Sequence, residues 1–91
     1  MFYKDIEIIF KQSAFGHEQT EEDIAWAFRT AEYDEYVVGS DDQFRLLGFN
    51  TKGNLIEVMY NEINDHKINV FHAMPCQNRF LELIINNRRS V

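Results

Sequence analysis

Hydrophobic and polar positions alternate along the chain in two different periods, which predicts both strands and helices. The stretch "DIEIIF" alternates and is rich in β-branched residues, so residues 5–11 are predicted to form a first strand. Four later runs have the same character, namely "EYVVG", "QFRLLGFN", "NLIEVMYNEI" and "KINVFHAM". The short polar stretches "SDD", "TKG" and "NDH" separate them, which is typical of an antiparallel meander.

A helix is predicted between the first strand and the meander. Thr20 is a suitable N-cap, and Asp23 lies three residues later, as in a capping box. We expect the helix to run from about Glu21 to Ala31, with one core-facing stripe formed by Ile24, Ala27, Phe28 and Ala31. Trp26 points roughly the other way and therefore needs a second surface or a partner.

The last segment, "CQNRFLELIINNRRSV", predicts a closing helix. Phe80, Leu83 and Ile84 have helical spacing, and Arg88 and Arg89 suit a helix C-terminus. The predicted order is β-α-β-β-β-β-α in a single compact domain, 1–91. We expect an α+β fold with a single, mostly antiparallel sheet and with the N-terminal and C-terminal helices on one face.

Turn lengths allow a prediction about which strand residues are neighbours. If 50–53 is a four-residue loop and 64–66 a three-residue loop, the paired residues are Leu47 with Ile56, Arg45 with Val58, Tyr60 with Val70 and Val58 with His72. Arg45, Val58 and His72 then form one row, with Tyr60 beside them. A slip of one residue in either hairpin would send one polar group to the opposite face.

Composition and charge narrow the class of protein. A hydrophobic content of 45%, with eight Phe and four Tyr, excludes disorder. The net charge of −6 argues against broad electrostatic attraction to nucleic acid, so any RNA contact must be local. We expect a cytoplasmic protein without a membrane segment, since the chain has neither a signal-peptide pattern nor a long apolar run. Its single cysteine, Cys76, agrees with a reducing compartment.

Three stretches, "HEQTEEDIAWAF", "FRLLGFNTKGNLIEVMY" and "VFHAMPCQNRF", resemble the BrnT-like toxins, which belong to the RelE superfamily of toxin–antitoxin ribonucleases. These proteins have a histidine before a Ser/Thr-capped helix, an arginine entering a hairpin, and a last strand that runs into "HAMP" or "SAR" before the closing helix. The resemblance covers about residues 15–84. It implies a toxin of a type II system, a metal-independent endoribonuclease without a cofactor, neutralised by a cognate antitoxin.

The resemblance also implies roles for individual residues. His17, Arg45 and His72 match positions that bind phosphate, stabilise in-line attack by a ribose 2′-hydroxyl or move protons, and we assign catalysis to them. Arg79 matches the cation of the closing helix and is assigned to substrate binding, together with Tyr60. Trp26 is assigned to partner binding, and the chain's self-association is left open.

Two features differ from the family pattern. His17 is followed by Glu18 where the family has His-Gly, and the chain is acidic whereas ribosome-dependent relatives are basic. They suggest either a ribosome-independent enzyme with a small site or a catalytically silent protein-interaction module with an apolar surface around Trp26 and Tyr60.

Each assigned side chain also has an ordinary structural role available. The alternatives are a carbonyl hydrogen bond for His72, an ion pair of Arg45 with Asp41, Asp42 or Glu62, a loop-bridging role for His17, and simple exposure of Arg79. His66 lies in a polar turn and is expected to be solvated. Neither a zinc site nor a Cys-His nucleophile is expected, because His17, His72 and Cys76 lack the required arrangement. Gly48 and Gly53 do not form a phosphate loop.

Overall fold

The computed structural model describes residues 1–89, so the last two residues of the predicted closing helix lie outside the described part. The fold is α+β, as predicted, with one open mixed sheet of six strands and two α-helices. Within residues 1–89, neither α-helix is both long enough and apolar enough to cross a membrane.

The six strands lie in the order β1-β2-β6-β5-β4-β3, and only the β2–β6 pair is parallel. The strands are β1 (Phe2–Tyr3), β2 (Ile6–Phe10), β3 (Tyr33–Tyr36), β4 (Gln43–Phe49), β5 (Leu55–Asn64) and β6 (Lys67–Pro75). The helices are α1 (Glu21–Arg29) and α2 (Leu81–Arg89), with two short 3₁₀ helices at Gln12–Phe15 and Asn78–Phe80.

Some predicted boundaries differ from the structure. The strand predicted at residues 5–11 is β2, and the two-residue β1 that precedes it was not predicted. The helix predicted to reach Ala31 ends at Arg29, and the strand predicted from "EYVVG" is shifted to Tyr33–Tyr36. β2 joins the sheet through the parallel pair with β6, a long-range contact that local periodicity does not encode.

The predicted capping box of α1 is confirmed. The Thr20 hydroxyl accepts a hydrogen bond from the Asp23 amide, and the Asp23 carboxylate accepts one from the Thr20 amide. That carboxylate also accepts hydrogen bonds from the amide and hydroxyl of Thr51 in the β4–β5 loop. Burial alone raises the pKa of Asp23, but the bonds from Thr51 and Thr20 outweigh it and lower the pKa to about 2. Asp23 therefore ties α1 to the hairpin as an ion.

Helix α1 covers one face of the sheet and forms the main core with it. Ile24, Ala27 and Phe28 are buried as predicted, whereas Ala31 lies beyond the helix and is exposed. The helix lies so close to β4 that a Cβ added at Gly48 would sit 2.2 Å from the Ala27 carbonyl oxygen. Gly48 is therefore required by the helix–sheet contact.

The prediction that both helices share one face is not confirmed, because the segment that leads into the closing helix packs on the other face of the sheet. Gly48 contacts α1, while Arg45 points to the opposite side of β4 and stacks on Phe80, just before α2. The Asn87 side-chain amide donates to the Glu32 carbonyl, and Arg88 forms an ion pair with Glu32. These contacts fasten α2 near β3, at the edge of the sheet.

The β4–β5 register differs by one residue from the prediction. Leu47 pairs with Glu57, and Arg45 pairs with Met59, because the loop has five residues, 50–54. The Asn50 amide donates to the Asn54 carbonyl, and the Asn50 side-chain oxygen accepts from the Lys52 and Asn54 amides. Asn54 is therefore part of the loop that was predicted to end at residue 53.

A β-bulge changes the β5–β6 register. Tyr60 pairs with Val70 as predicted, but Met59 pairs with His72 and Val58 with Ala73, which leaves Phe71 as the extra residue. The prediction that Val58 pairs with His72 is therefore wrong. The two one-residue differences compensate each other, so Arg45 and His72 still lie in one row, with Met59 between them. Tyr60 lies on the opposite face, contrary to the prediction.

Candidate functional site

His17 and His72 meet on the face of the sheet that α1 leaves uncovered. Their ring centroids are 5.5 Å apart and the rings are nearly perpendicular. His72 is half-buried at the bulge of β6, whereas His17 is exposed in the segment between the first 3₁₀ helix and α1. The bulge is needed for this meeting, because regular pairing from Val70 onward would turn His72 toward the core.

Arg45 lies in the same row as His72, across Met59. Strands in a sheet are about 4.8 Å apart, so the two backbones are separated by about 10 Å. The Arg45 guanidinium stacks on the Phe80 ring with its carbon 4.0 Å from the ring centroid. Among the described residues, its buried Nε–H has no hydrogen-bond acceptor. An unpaired donor that is closed to solvent costs free energy unless an acceptor reaches it.

Glu57 is a buried carboxylate beneath this site, with only 2% of its surface exposed. One of its oxygens accepts a 2.8 Å hydrogen bond from the Gln77 side-chain amide, and the other lies 4.0 Å from Arg45 Nε. We did not predict Glu57 as a site residue. The sequence offers one indication of its burial, because Glu57 is the one acid within the apolar run "NLIEVMY".

Burial shifts the pKa of two side chains of the site, His72 and Cys76, toward their neutral forms. Burial lowers the pKa of His72; the Glu57 carboxylate raises it and the neighbouring His17 lowers it further. Burial, together with Glu57, raises the pKa of the Cys76 thiol. A neutral imidazole can accept a proton near neutral pH, whereas a protonated thiol is a poor nucleophile.

The structure brings together four of the six predicted site residues. His17, His72 and Arg45 lie on the same face, and the Arg79 guanidinium is 4.7 Å from the Phe80 ring that Arg45 also contacts. Arg79 itself is exposed.

The other two predicted residues lie elsewhere. Tyr60 is buried on the α1 side, where its ring stacks on Phe44 and its hydroxyl donates to Asp34. Burial and the hydrogen bond to Asp34 raise the pKa of Tyr60. Because its side chain is buried in the core, Tyr60 does not match its predicted role in substrate binding. Trp26 is 45% exposed on the outer side of α1, as predicted.

Over residues 1–89, the structure does not show the predicted carbonyl hydrogen bond of His72, and it pairs Arg45 with an acid that was not predicted. In the part of the chain that the structure describes, neither the His17 nor the His72 ring makes a hydrogen bond. The carboxylate beside Arg45 is Glu57, and not Asp41, Asp42 or Glu62. Across residues 1–89, no three His, Cys, Asp or Glu side chains are grouped so that they could hold a metal ion.

Comparisons with protein-family models, with curated proteins and with solved structures found no match to this chain. The candidate site is therefore defined by its own geometry: two imidazoles in contact, one stacked guanidinium and one buried carboxylate on a single sheet face.

Proposed function

We propose that this chain is a cytoplasmic endoribonuclease toxin of a type II toxin–antitoxin system, related to the BrnT-like toxins. The observation that carries the proposal is the contact of His17 and His72, at 5.5 Å between ring centroids, on the sheet face that bears Arg45. Two imidazoles and a guanidinium supply the three functions that RNA cleavage by a ribose 2′-hydroxyl requires: a proton acceptor, a proton donor and an anion-binding group.

The proposed reaction needs neither a metal nor a cofactor. Neutral His72 accepts the 2′-hydroxyl proton while the 2′-oxygen forms a bond to phosphorus. The bond from phosphorus to the 5′-oxygen breaks, and His17, in its protonated form, donates a proton to that oxygen. The products are a 2′,3′-cyclic phosphate and a 5′-hydroxyl, and Arg45 stabilises the charge that develops on the phosphate.

The state of Arg45 supports its role as the phosphate-binding group. Stacking on Phe80 fixes the plane of the guanidinium, and its buried Nε–H lacks an acceptor among residues 1–89. The Nε–H lies beside Glu57 and is closed to solvent, so a phosphate would contact the exposed part of the side chain, which is 21% exposed. Arg79 adds a second, exposed cation on the same ring. This local pair of cations suits a small RNA site on a chain whose net charge is −6.

The backbone at Glu18 supports the resemblance to the BrnT-like family. Glu18 follows His17 at the position where the family has glycine, and its φ is +68°, in the left-handed region that favours glycine. The turn that aims His17 thus has a conformation suited to the family residue, although a glutamate occupies the position.

Growth arrest on expression tests the proposal. We expect expression of the wild-type chain to arrest bacterial growth, and the double variant His72→Ala with Arg45→Ala to abolish the arrest at equal protein level. His66→Ala is the matched control, because His66 lies exposed in the β5–β6 turn. Arrest that persists in the double variant would contradict the site assignment.

A second candidate function is that of a catalytically silent interaction module, and one observation favours it. Trp26 and Phe2 are 45% and 64% exposed, and they line a shallow groove of about 350 Å³ together with Met1 and Ala25. A wild-type chain that neither cleaves RNA nor arrests growth would favour this second function. Its test is the fluorescence of Trp26, the chain's single tryptophan, on titration with the product of a neighbouring antitoxin gene.

A further inference from the structure

An open depression of about 490 Å³ lies next to the histidine pair on the same sheet face. It is lined by Lys11, Ser13, Asp42, Gln43, Asn61 and Phe71. None of these residues takes part in the chemistry proposed above, and the depression is separate from the groove at Trp26.

The strands fix where the depression lies. Gln43 pairs with Asn61 one row away from the row of Arg45, Met59 and His72, which is about 7 Å along the strands. Phe71, the extra residue of the bulge, precedes His72 and lines the depression with Gln43 and Asn61. The same bulge therefore supplies both a candidate proton acceptor and an aromatic side chain to this face.

Neighbouring hydrogen bonds hold the lining in place. The Ser13 hydroxyl donates a 2.6 Å bond to the Phe71 carbonyl, and the Lys11 amide donates to the Val70 carbonyl. The Asn69 side-chain amide donates to the Asn61 side-chain oxygen, which fixes the Asn61 carboxamide. The depression is therefore built before any ligand arrives.

The chemistry of the lining suits a neutral planar heterocycle. The carboxamides of Gln43 and Asn61 each carry donor and acceptor groups, as required to bind the edge of a nucleobase. Phe71 is half-buried and offers an aromatic surface for stacking. The charges of Lys11 and Asp42 oppose each other, so this depression does not favour an anion as the Arg45 side does.

We propose that the depression binds the base of the nucleotide next to the cleaved phosphate. In this arrangement Phe71 stacks on the base while Gln43 and Asn61 hydrogen-bond to its edge. The inference rests on the proposed ribonuclease function and extends it, because it makes cleavage dependent on the base at one position.

Cleavage of an RNA library with randomised positions tests the inference with the full chain. We expect the wild type to prefer one base at a position beside the cut, and Gln43→Met or Asn61→Leu to reduce that preference about tenfold. Phe71→Leu should raise KM about tenfold with a smaller change in kcat. Gln12→Met is the control, because Gln12 is exposed and does not line the depression.

A binding measurement separates this inference from the proposed function. The probes are the four nucleoside 3′-monophosphates, with inorganic phosphate for comparison, and the readout is the NMR shift of the Gln43 and Asn61 side-chain amides. Shifts with a nucleotide but not with phosphate support the base site, even if the wild type cleaves no RNA. Cleavage with a base preference that Gln43→Met and Asn61→Leu leave unchanged would overturn it, as would amide signals that no nucleotide moves.

Discussion

At the scale of single residues, the bulge residue Phe71 and the buried Glu57 affect the orientation and the pKa of His72. Phe71 turns the imidazole out of the core, and Glu57 supplies a buried negative charge beneath it. Burial favours the neutral imidazole while Glu57 favours the protonated one, so the pKa of His72 reflects a balance between them.

The first prediction concerns that balance. Replacing Glu57 by Gln removes the negative charge that stabilises the imidazolium, so the pKa of His72 should fall further below its ordinary value near 6.5. The acid limb of RNA cleavage should move to lower pH in the same variant, because neutral His72 then persists to lower pH. NMR titration of the His72 ring checks the first effect, with Glu62→Gln as the exposed control. An unchanged or higher pKa in Glu57→Gln would contradict it.

The second prediction concerns the backbone before α1. Glu18 has a left-handed conformation, which is costly for a residue with a Cβ. Glu18→Gly should therefore leave the free energy of unfolding unchanged or raise it by up to about 1 kcal/mol, measured by urea denaturation. The control Glu22→Gly, inside helix α1, should lower it by about 1 kcal/mol. A loss in Glu18→Gly equal to that of the control would show that the turn does not favour glycine.

At the scale of elements, α1 packs directly on the backbone of β4 at Gly48. A Cβ at Gly48 would lie 2.2 Å from the Ala27 carbonyl oxygen and 2.8 Å from its carbon, and these are backbone atoms that cannot rotate away. The helix must therefore shift if any side chain is added at Gly48.

The third prediction follows from this contact. Gly48→Ala should lower the free energy of unfolding by at least about 1–3 kcal/mol, because α1 has to move off the sheet. Gly16→Ala is the matched control, since a Cβ there would be 3.7 Å from the Ser13 carbonyl oxygen and the φ of −70° suits alanine. Thermal or urea denaturation measures both variants. Equal stability of the two would contradict the packing of α1 on β4.

Local patterns predicted much of the element content. The capping box of Thr20 and Asp23, the stripe of Ile24, Ala27 and Phe28, and the fold class are confirmed because each depends on short-range periodicity. The bulge at Phe71 was not predictable in this way, since Val70, Phe71 and His72 all suit a regular strand. The bulge is accompanied by contacts from far along the chain, where Ser13 and Lys11 bind the carbonyls of Phe71 and Val70.

The candidate site was only partly accessible from the sequence. Arg45 and His72 were placed in one row by two register errors that compensate each other, and the predicted neighbour Tyr60 lies in the core. Glu57 was missed because an acid in a strand is ordinarily exposed. Its burial is linked to the segment with Gln77 and Phe80, which returns over the sheet after Pro75.

At the scale of the whole molecule, an acidic body carries a small cationic site. Fifteen acidic residues against nine basic ones give a net charge of −6, so distant phosphates are repelled. The cations at the proposed RNA surface are Arg45 and Arg79 at the cleavage site and Lys11 in the depression beside it, where Asp42 opposes its charge.

The fourth prediction is a weak salt dependence of RNA binding. Two or three phosphate contacts on a single strand give a slope of about −1.5 to −2 for log K against log salt, whereas six to ten contacts would give about −4 to −7. Fluorescence anisotropy with a short labelled RNA, using the His72→Ala variant to prevent cleavage, measures the slope. A slope steeper than about −4 would indicate a broad electrostatic surface and contradict the local site.

The central claim is that His17, His72 and Arg45 form one metal-independent RNA-cleaving site. The most direct test is cleavage of RNA by the purified chain in the presence of a chelator, with analysis of the new ends. We predict 2′,3′-cyclic phosphate and 5′-hydroxyl ends, a loss of at least about 100-fold in His72→Ala, and an unchanged rate in His66→Ala. Absence of cleavage by the wild type, or equal rates for His72→Ala and the wild type, would contradict the claim.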